Sequence, residues 1–177
     1  LTPEMIYSSS QIALVELLQS GCTTTADHHY IFSNQLENAI DIQVEAAKAI
    51  GCRVVLARGS MSLGQKDGGL PPSQTVQCAR TIMEDSERVI KKFHDRGSGA
   101  LVQIALAPCS PFSVSQELMK STAELAKELD VRLHTHLAET EDEETFCLQR
   151  FGLRPVEYLQ QAGWLNSGTW VAHGIHF

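Results

Sequence analysis

A parallel α/β sheet of the barrel kind is the fold this sequence predicts, on three observations. Helical apolar stripes alternate with short β-branched runs along the chain, which implies βαβ units and a parallel sheet. Each candidate strand ends in a polar or ionisable residue, and parallel α/β folds place their chemistry at those ends. No G-x-G-x-x-G or G-x-x-x-x-G-K-[ST] follows any strand, which argues against a nucleotide-binding doubly wound sheet and favours a (β/α) barrel. The five candidate strands fall short of the eight that close such a barrel.

Thr2 is an N-cap, Pro3 suits the first helical position and Glu4 suits the positive end of the first helix. Ile6, Ala13, Leu14, Leu17 and Leu18 form its apolar stripe, and Ser20-Gly21 stops it. Cys22 to Ala26 is short and β-branched, a strand ending in Asp27-His28-His29. The unit then returns. Ile42 to Ile50 is helical, Gly51 stops it, and Arg53 to Ala57 is a strand ending at Arg58. Gly59 to Ser73 is rich in Gly, Ser and Pro. A loop that long is either functional, here a pocket lid, or a plain surface excursion. Thr75 to Phe93 is a long amphipathic helix, followed by the strand Leu101 to Ala107, which ends at Pro108-Cys109-Ser110. Ser115 caps a helix to Leu129, and Val131 to Leu137 is a strand that carries His134 and His136. Val156 to Ala162 is helical, Gly163 stops it, and Trp170-Val171-Ala172 opens a last strand before His173.

Composition narrows the function classes. The 177 residues are 43% hydrophobic and 20% charged, enough apolar content for a core and against disorder. Fourteen basic against 21 acidic residues leave a net charge of -7, which argues against nucleic-acid or anionic-membrane binding driven by bulk charge. No apolar run approaches the roughly 20 residues that cross a bilayer, and no signal peptide is visible. The five cysteines are scattered, with no C-x-x-C. They read as buried thiols in a reducing, cytoplasmic compartment. The chain starts at Leu1 and stops directly after an apolar segment, so both ends look cut.

The strongest constellation is Leu133-His134-Thr135-His136-Leu137-Ala138-Glu139-Thr140. Residues two apart on a strand face one side, so His134 and His136 point together. Neutral imidazole is a common ligand for zinc and iron. Glu139, just beyond the strand, is placed to exchange protons with a water that a metal has made acidic. The competing reading is two satisfied core histidines and a solvated acidic run from Glu139 to Glu144, suited to the start of the next helix. A second strand-end site, Ala172-His173-Gly174-Ile175-His176, would converge with the first at one barrel mouth. That tips the balance toward metal without saying which histidine binds it. Cys109 reads as packing, because no base lies beside it in sequence to activate a thiol. A cytidine-deaminase type of zinc site is excluded, since neither H-x-E nor P-C-x-x-C is present.

Several segments together carry a family resemblance: SGCTTTADHHY, RGSMSLGQKDGGLPPS, LAPCSPFSVS, RLHTHLAETEDEE, FGLRPVEYL and WVAHGIHF. Through them the chain resembles the amidohydrolase superfamily, in its aminohydrolase branch of guanine deaminases, triazine hydrolases and 8-oxoguanine deaminases. The DHHY and GSMSLGQKDGGLPP segments look most like the 8-oxoguanine deaminases. The resemblance implies a partial (β/α)8 TIM-type barrel of the metal-dependent hydrolase kind, filling residues 1–177 as a single partial catalytic domain. It implies hydrolytic deamination of a purine-like heterocycle, 8-oxoguanine to urate and ammonia first, with a triazine or other heterocycle as the alternative. It further implies one divalent metal, zinc or else iron, a small-molecule substrate and a homo-oligomer in the intact enzyme.

Residue by residue, His136 matches the metal-ligand histidine of the fifth barrel strand and Glu139 the proton-shuttling carboxylate. His173 matches the sixth-strand histidine that bonds the attacking water or the tetrahedral intermediate. His134 returns to core packing, His176 has no assignment, and Arg58 and His28 are candidate substrate contacts. The family's first-strand H-x-H and eighth-strand Asp are missing, as is its small β-sandwich, so the chain is expected to cover strands two to six. A truncated, non-catalytic barrel is the reading of a different class. A binuclear hydrolase ranks last, for want of a strand-end Lys.

Overall fold

The computed structural model describes residues 1–33 and 35–177. Its elements run α1 (Pro3–Gln19), β1 (Thr24–His29), α2 (Ala39–Ile50), β2 (Arg53–Ser60), α3 (Ala79–Phe93), β3 (Val102–Pro108), α4 (Gln116–Glu128), β4 (Arg132–Leu137), α5 (Glu141–Phe151), α6 (Pro155–Gln161) and β5 (Thr169–His173). The caps are those the residue types dictate. Thr2 Oγ1 accepts from Met5 N at 3.3 Å, and Ser115 Oγ from Leu118 N at 3.2 Å. Gly51 closes α2 at φ 78°, where a Cβ would be strained.

Several boundaries differ from the sequence reading, α2 among them, which begins at Ala39 and not at Ile42. β1 begins after Cys22 and runs on through Asp27, His28 and His29, and β2 runs on to Ser60. The helix expected from Thr75 begins at Ala79, because Gln77 N is bonded to Met61 O at 2.9 Å, which holds the preceding segment extended. α5 fills the stretch that the acidic run only hinted at.

The strands form one sheet in the order β1-β2-β3-β4-β5, every neighbour parallel. A doubly wound sheet reverses its strand order at a switch point, and this one does not. Sequential order with helices between successive strands is the arrangement of a barrel wall. The helix-facing side carries the large core, including Val54, Leu56, Val102, Ile104, Leu106, Leu133 and Leu137. The other side is lined by small residues, Ala57, Ala105 and Ala107, with Val55 and Trp170 against them. Alanines on the two middle strands leave room there for rings from the flanking strands. Among the described residues β3 and β4 pair in the ladder at Ala105–Arg132 and Leu106–Leu133, and beyond these the regular ladder is interrupted. Among the described residues no helix is long and apolar enough to cross a membrane.

Candidate active site

The carboxyl ends of β3 and β4, where the regular ladder is interrupted, set the site. Cys109 O, just past β3, accepts the His136 backbone N–H at 3.0 Å. The same carbonyl lies 2.7 Å from His136 Nδ1. A carbonyl can only accept, so Nδ1 carries the proton and the Nε2 lone pair is left free for another partner. That is the tautomer a metal-ligating histidine needs, fixed by an outer hydrogen bond as metal sites commonly do it. The ring lies between two others. His28 from β1 stacks on one side at 4.9 Å between centroids, and His173 from β5 on the other at 5.5 Å.

His28 reaches the interior by strand alternation, its neighbours Asp27 and His29 facing the helices. Its Nε2 donates to Ala107 O at 2.9 Å, and its buried Nδ1 has no partner among the described residues. Burial, opposed by that bond, lowers its pKa to about 3, so the ring is neutral. His134 sits deeper on the same face. Its Nδ1 is bonded to Trp170 O at 3.1 Å and its ring stacks on Trp170 at 4.6 Å, which is core packing.

Glu139 and His173 meet at the mouth, with Oε1 and Nε2 3.6 Å apart and both side chains partly exposed. Two unusual backbones put them there. Ala138 has φ 53° and His173 φ 67°, left-handed values that side-chain-bearing residues seldom adopt. The corner at Ala138 is tied on every side. Its N–H donates to Glu143 Oε1 at 3.0 Å, and the Glu139 N–H to Glu143 Oε2 at 2.9 Å. Ala138 O accepts from Ile175 N at 2.9 Å and His176 N at 3.0 Å. His176 thus contributes its backbone, while its ring lies by Glu141 and Glu144 away from His136.

Glu139 also lines a cavity of about 660 Å³, walled by Tyr30, Leu70, Pro71, Phe112 and Asp142 among others and, among the described residues, by no Lys or Arg. The Gly59–Ser73 segment supplies Leu70 and the prolines. Backbone bonds from Ser62 and Leu63 to Ser113 O and from Leu70 to Phe112 O make it a fixed wall. Cys109 borders the cavity, and burial pushes its thiol up to about 11, so it is protonated at neutral pH and is no nucleophile.

Arg58, expected to contact substrate, does not reach this space. Following Val54 and Leu56 at two-residue intervals, it faces the helices, fully buried. Its Nε donates to Asp85 at 2.9 Å and Nη2 to Gln77 at 3.0 Å, and its guanidinium lies 4.0 Å from the Phe32 ring centroid. Two residues at the mouth escaped the sequence reading. Tyr30 was signalled by its two-residue spacing from His28, and Glu143 by the T-x-x-E spacing from Thr140, the N-cap of α5.

The donor set fits a metal only in part. His136 Nε2 is one suitable donor, and no group of three or more His, Cys, Asp and Glu able to hold a metal occurs among the described residues.

Comparison with known proteins agrees with this arrangement. The chain is 65% identical over all its 177 residues to 8-oxoguanine deaminase of Pseudomonas aeruginosa, 39% of whose length it covers. It is 34% identical over 175 residues to hydroxydechloroatrazine ethylaminohydrolase of Pseudomonas sp. strain ADP, covering 98% of this chain and 36% of that one. The zinc complex of atrazine chlorohydrolase TrzN from Arthrobacter aurescens TC1 superposes with a TM-score of 0.93 at 31% identity, over 99% of this chain and 39% of that one. The chain therefore spans about two fifths of the length of the curated relatives it matches. The amidohydrolase family profile matches residues 1–177. With the sequential parallel sheet, the strand-end histidines and a whole-length match to the profile in agreement, the chain belongs to the amidohydrolase family.

Proposed function

We propose that this chain forms one wall of the active site of a metal-dependent aminohydrolase, and that its substrate is a purine-like heterocycle, 8-oxoguanine first. The 65% identity to an 8-oxoguanine deaminase along the entire chain carries the reading. The cavity supports it. Apolar and aromatic walls with no Lys or Arg suit a flat, unphosphorylated ring better than a nucleotide. A triazine ring is the second reading, favoured by the likeness to the two triazine-acting enzymes.

In this reading His136 Nε2 is one ligand of a divalent metal, zinc by analogy with the neighbour that binds it, or iron. When bound, such a metal supplies the Lewis acidity that makes water a nucleophile near neutral pH. Glu139 takes one proton from the attacking water and passes it to the ring nitrogen, then carries the second, from the hydroxyl on the tetrahedral carbon, to the departing amino group, which leaves as ammonia as the C–N bond breaks. His173, 3.6 Å from Glu139, donates to the oxygen on which charge develops at the tetrahedral carbon. His28, neutral and stacked on His136, also lies edge-on to Tyr30, which lines the cavity. Five free thiols support a cytoplasmic, reducing location. A homo-oligomer in the intact enzyme is proposed on the family resemblance alone.

The test is ammonia release from 8-oxoguanine, guanine and a hydroxytriazine by the protein expressed from the complete reading frame. Turnover of 8-oxoguanine is expected, with Glu139→Gln slower by about 10²–10⁴-fold. No ammonia from any of the three, or a wild-type rate for Glu139→Gln, overturns the reading.

A further inference from the structure

The acidic run after Glu139 contains one residue that is not on the surface. Glu143 is 1% exposed, although Glu141, Asp142 and Glu144 beside it face solvent or the pocket rim. Its position relative to Thr140 is that of a capping box, in which the third-turn-position carboxylate reaches back to the N–H of the cap residue itself. Here it reaches further. Both oxygens are taken by the two residues before the cap, Ala138 N at 3.0 Å and Glu139 N at 2.9 Å. The helix keeps its cap by other means, with Thr140 Oγ1 accepting from Glu143 N at 3.3 Å. The carboxylate is therefore spent on the corner and not on the helix.

The corner needs it. Ala138 holds φ 53°, and without these acceptors its N–H would be a buried donor with no partner, and the part-buried N–H of Glu139 would lose its bond. The opposite side of the same peptide unit is fixed by the segment after β5, through Ile175 N and His176 N on Ala138 O. That segment follows directly from His173, the partner of Glu139. One corner thus sets the direction of both mouth side chains, and among the described residues Glu143 is the side chain that holds it from the α5 side.

We propose that Glu143 is a positioning residue: it clamps the Ala138-Glu139 corner so that the Glu139 carboxylate faces His173 and the cavity. The proposal rests on the role given above to Glu139. Glu143→Gln is the informative variant, since it keeps the shape and one acceptor oxygen but turns an NH₂ donor toward one of the two N–H groups. Amide hydrogen exchange of the folded protein reads the clamp without any need for activity. Exchange at Ala138 and Glu139 is expected to rise about tenfold or more, as loss of a hydrogen bond to a charged group implies, while the β4 amides of Leu133 and Thr135 keep their wild-type rates. In the steady state kcat is expected to fall at least about tenfold, with KM within about twofold, as for an interaction felt only in the transition state. Unchanged exchange at the two amides overturns the proposal, and so does a kcat that falls only in proportion to the folded fraction. If the wild-type protein releases no ammonia, the functional reading fails, and the exchange rates alone still decide whether Glu143 holds the corner.

Discussion

Gly59 shows what one hydrogen atom in place of a methyl does for the site. It lies at the end of β2 against the backbone of His29 and Tyr30, and a Cβ added there would come within 2.6 Å of Tyr30 Cβ. Backbone cannot yield as a flexible side chain can, so the residue must be glycine for packing, whatever its torsions. Gly59→Ala should destabilise the protein by about 1–3 kcal/mol, the usual cost of overpacking, seen as a lower urea midpoint, and should push Tyr30 into the cavity. The thiols make a second prediction at this scale. Cys78 is exposed, and hydrogen bonding from Thr81 draws its pKa down. Burial pushes Cys109 up to about 11 and Cys147 to about 12. Thiolate is the reactive form, so iodoacetamide at pH 7 should label Cys78 first by mass spectrometry, with Cys109 and Cys147 unlabelled until the chain unfolds. Early labelling of Cys109 would contradict its burial.

At the scale of elements, α2 and α3 are joined by charge. Arg88 on α3 grips Asp41 on α2 with both Nη atoms, at 3.0 and 2.7 Å, and Lys92 adds a bond at 2.7 Å. Arg88 also binds Asp85, which in turn holds the buried Arg58 of β2. Burial pulls the Asp41 carboxyl upward, but the bonds from Arg88 and Lys92 outweigh it and hold its pKa below the ordinary value. A depressed folded pKa contributes stability above the ordinary aspartate range, and that contribution is lost as pH falls through the depressed value. Asp41→Asn should therefore melt below the wild type at pH 7, and the two Tm curves should converge as the pH drops below about 3.9. A constant gap down to pH 2 would mean that the charge on Asp41 contributes nothing. The same network explains what the sequence could and could not tell. That ionisable residues cluster at strand ends was readable from the alternation of helix and strand, and it led to His28, His136 and His173. Strand-end position gives height along the barrel wall but not the face. Arg58 sits at the right height and on the wrong side, because Val54 and Leu56 fix the parity of β2. Glu143 was hidden for the opposite reason. Its composition matched a solvated helix start, and only its spacing from Thr140 marked it as different.

For the molecule as a whole, the order of strands was legible, since each βα unit is complete in itself. The break in the β3–β4 ladder was not, because past Leu106–Leu133 a carbonyl outside β3, Cys109 O, takes donors from His136 and Thr135 in place of a continued ladder. The donors this wall offers bear on metal affinity. A catalytic zinc site takes about three protein ligands, and its affinity comes from their convergence. Among the described residues His136 offers a free Nε2 at the strand end, and no cluster of three candidate ligands occurs. Single imidazoles bind zinc weakly, so after dialysis against metal-free buffer the 177-residue chain should retain far less than one zinc per molecule by elemental analysis. The protein from the complete reading frame, if it adds the ligands that the family resemblance places on other strands, should retain about one, and His136→Ala should reduce that amount. One tightly held zinc on the 177-residue chain itself would require a ligand set other than the one centred on His136. Equal retention by His136→Ala in the longer protein would remove His136 from the metal altogether, leaving the Nδ1–Cys109 bond as a purely structural tie between β3 and β4.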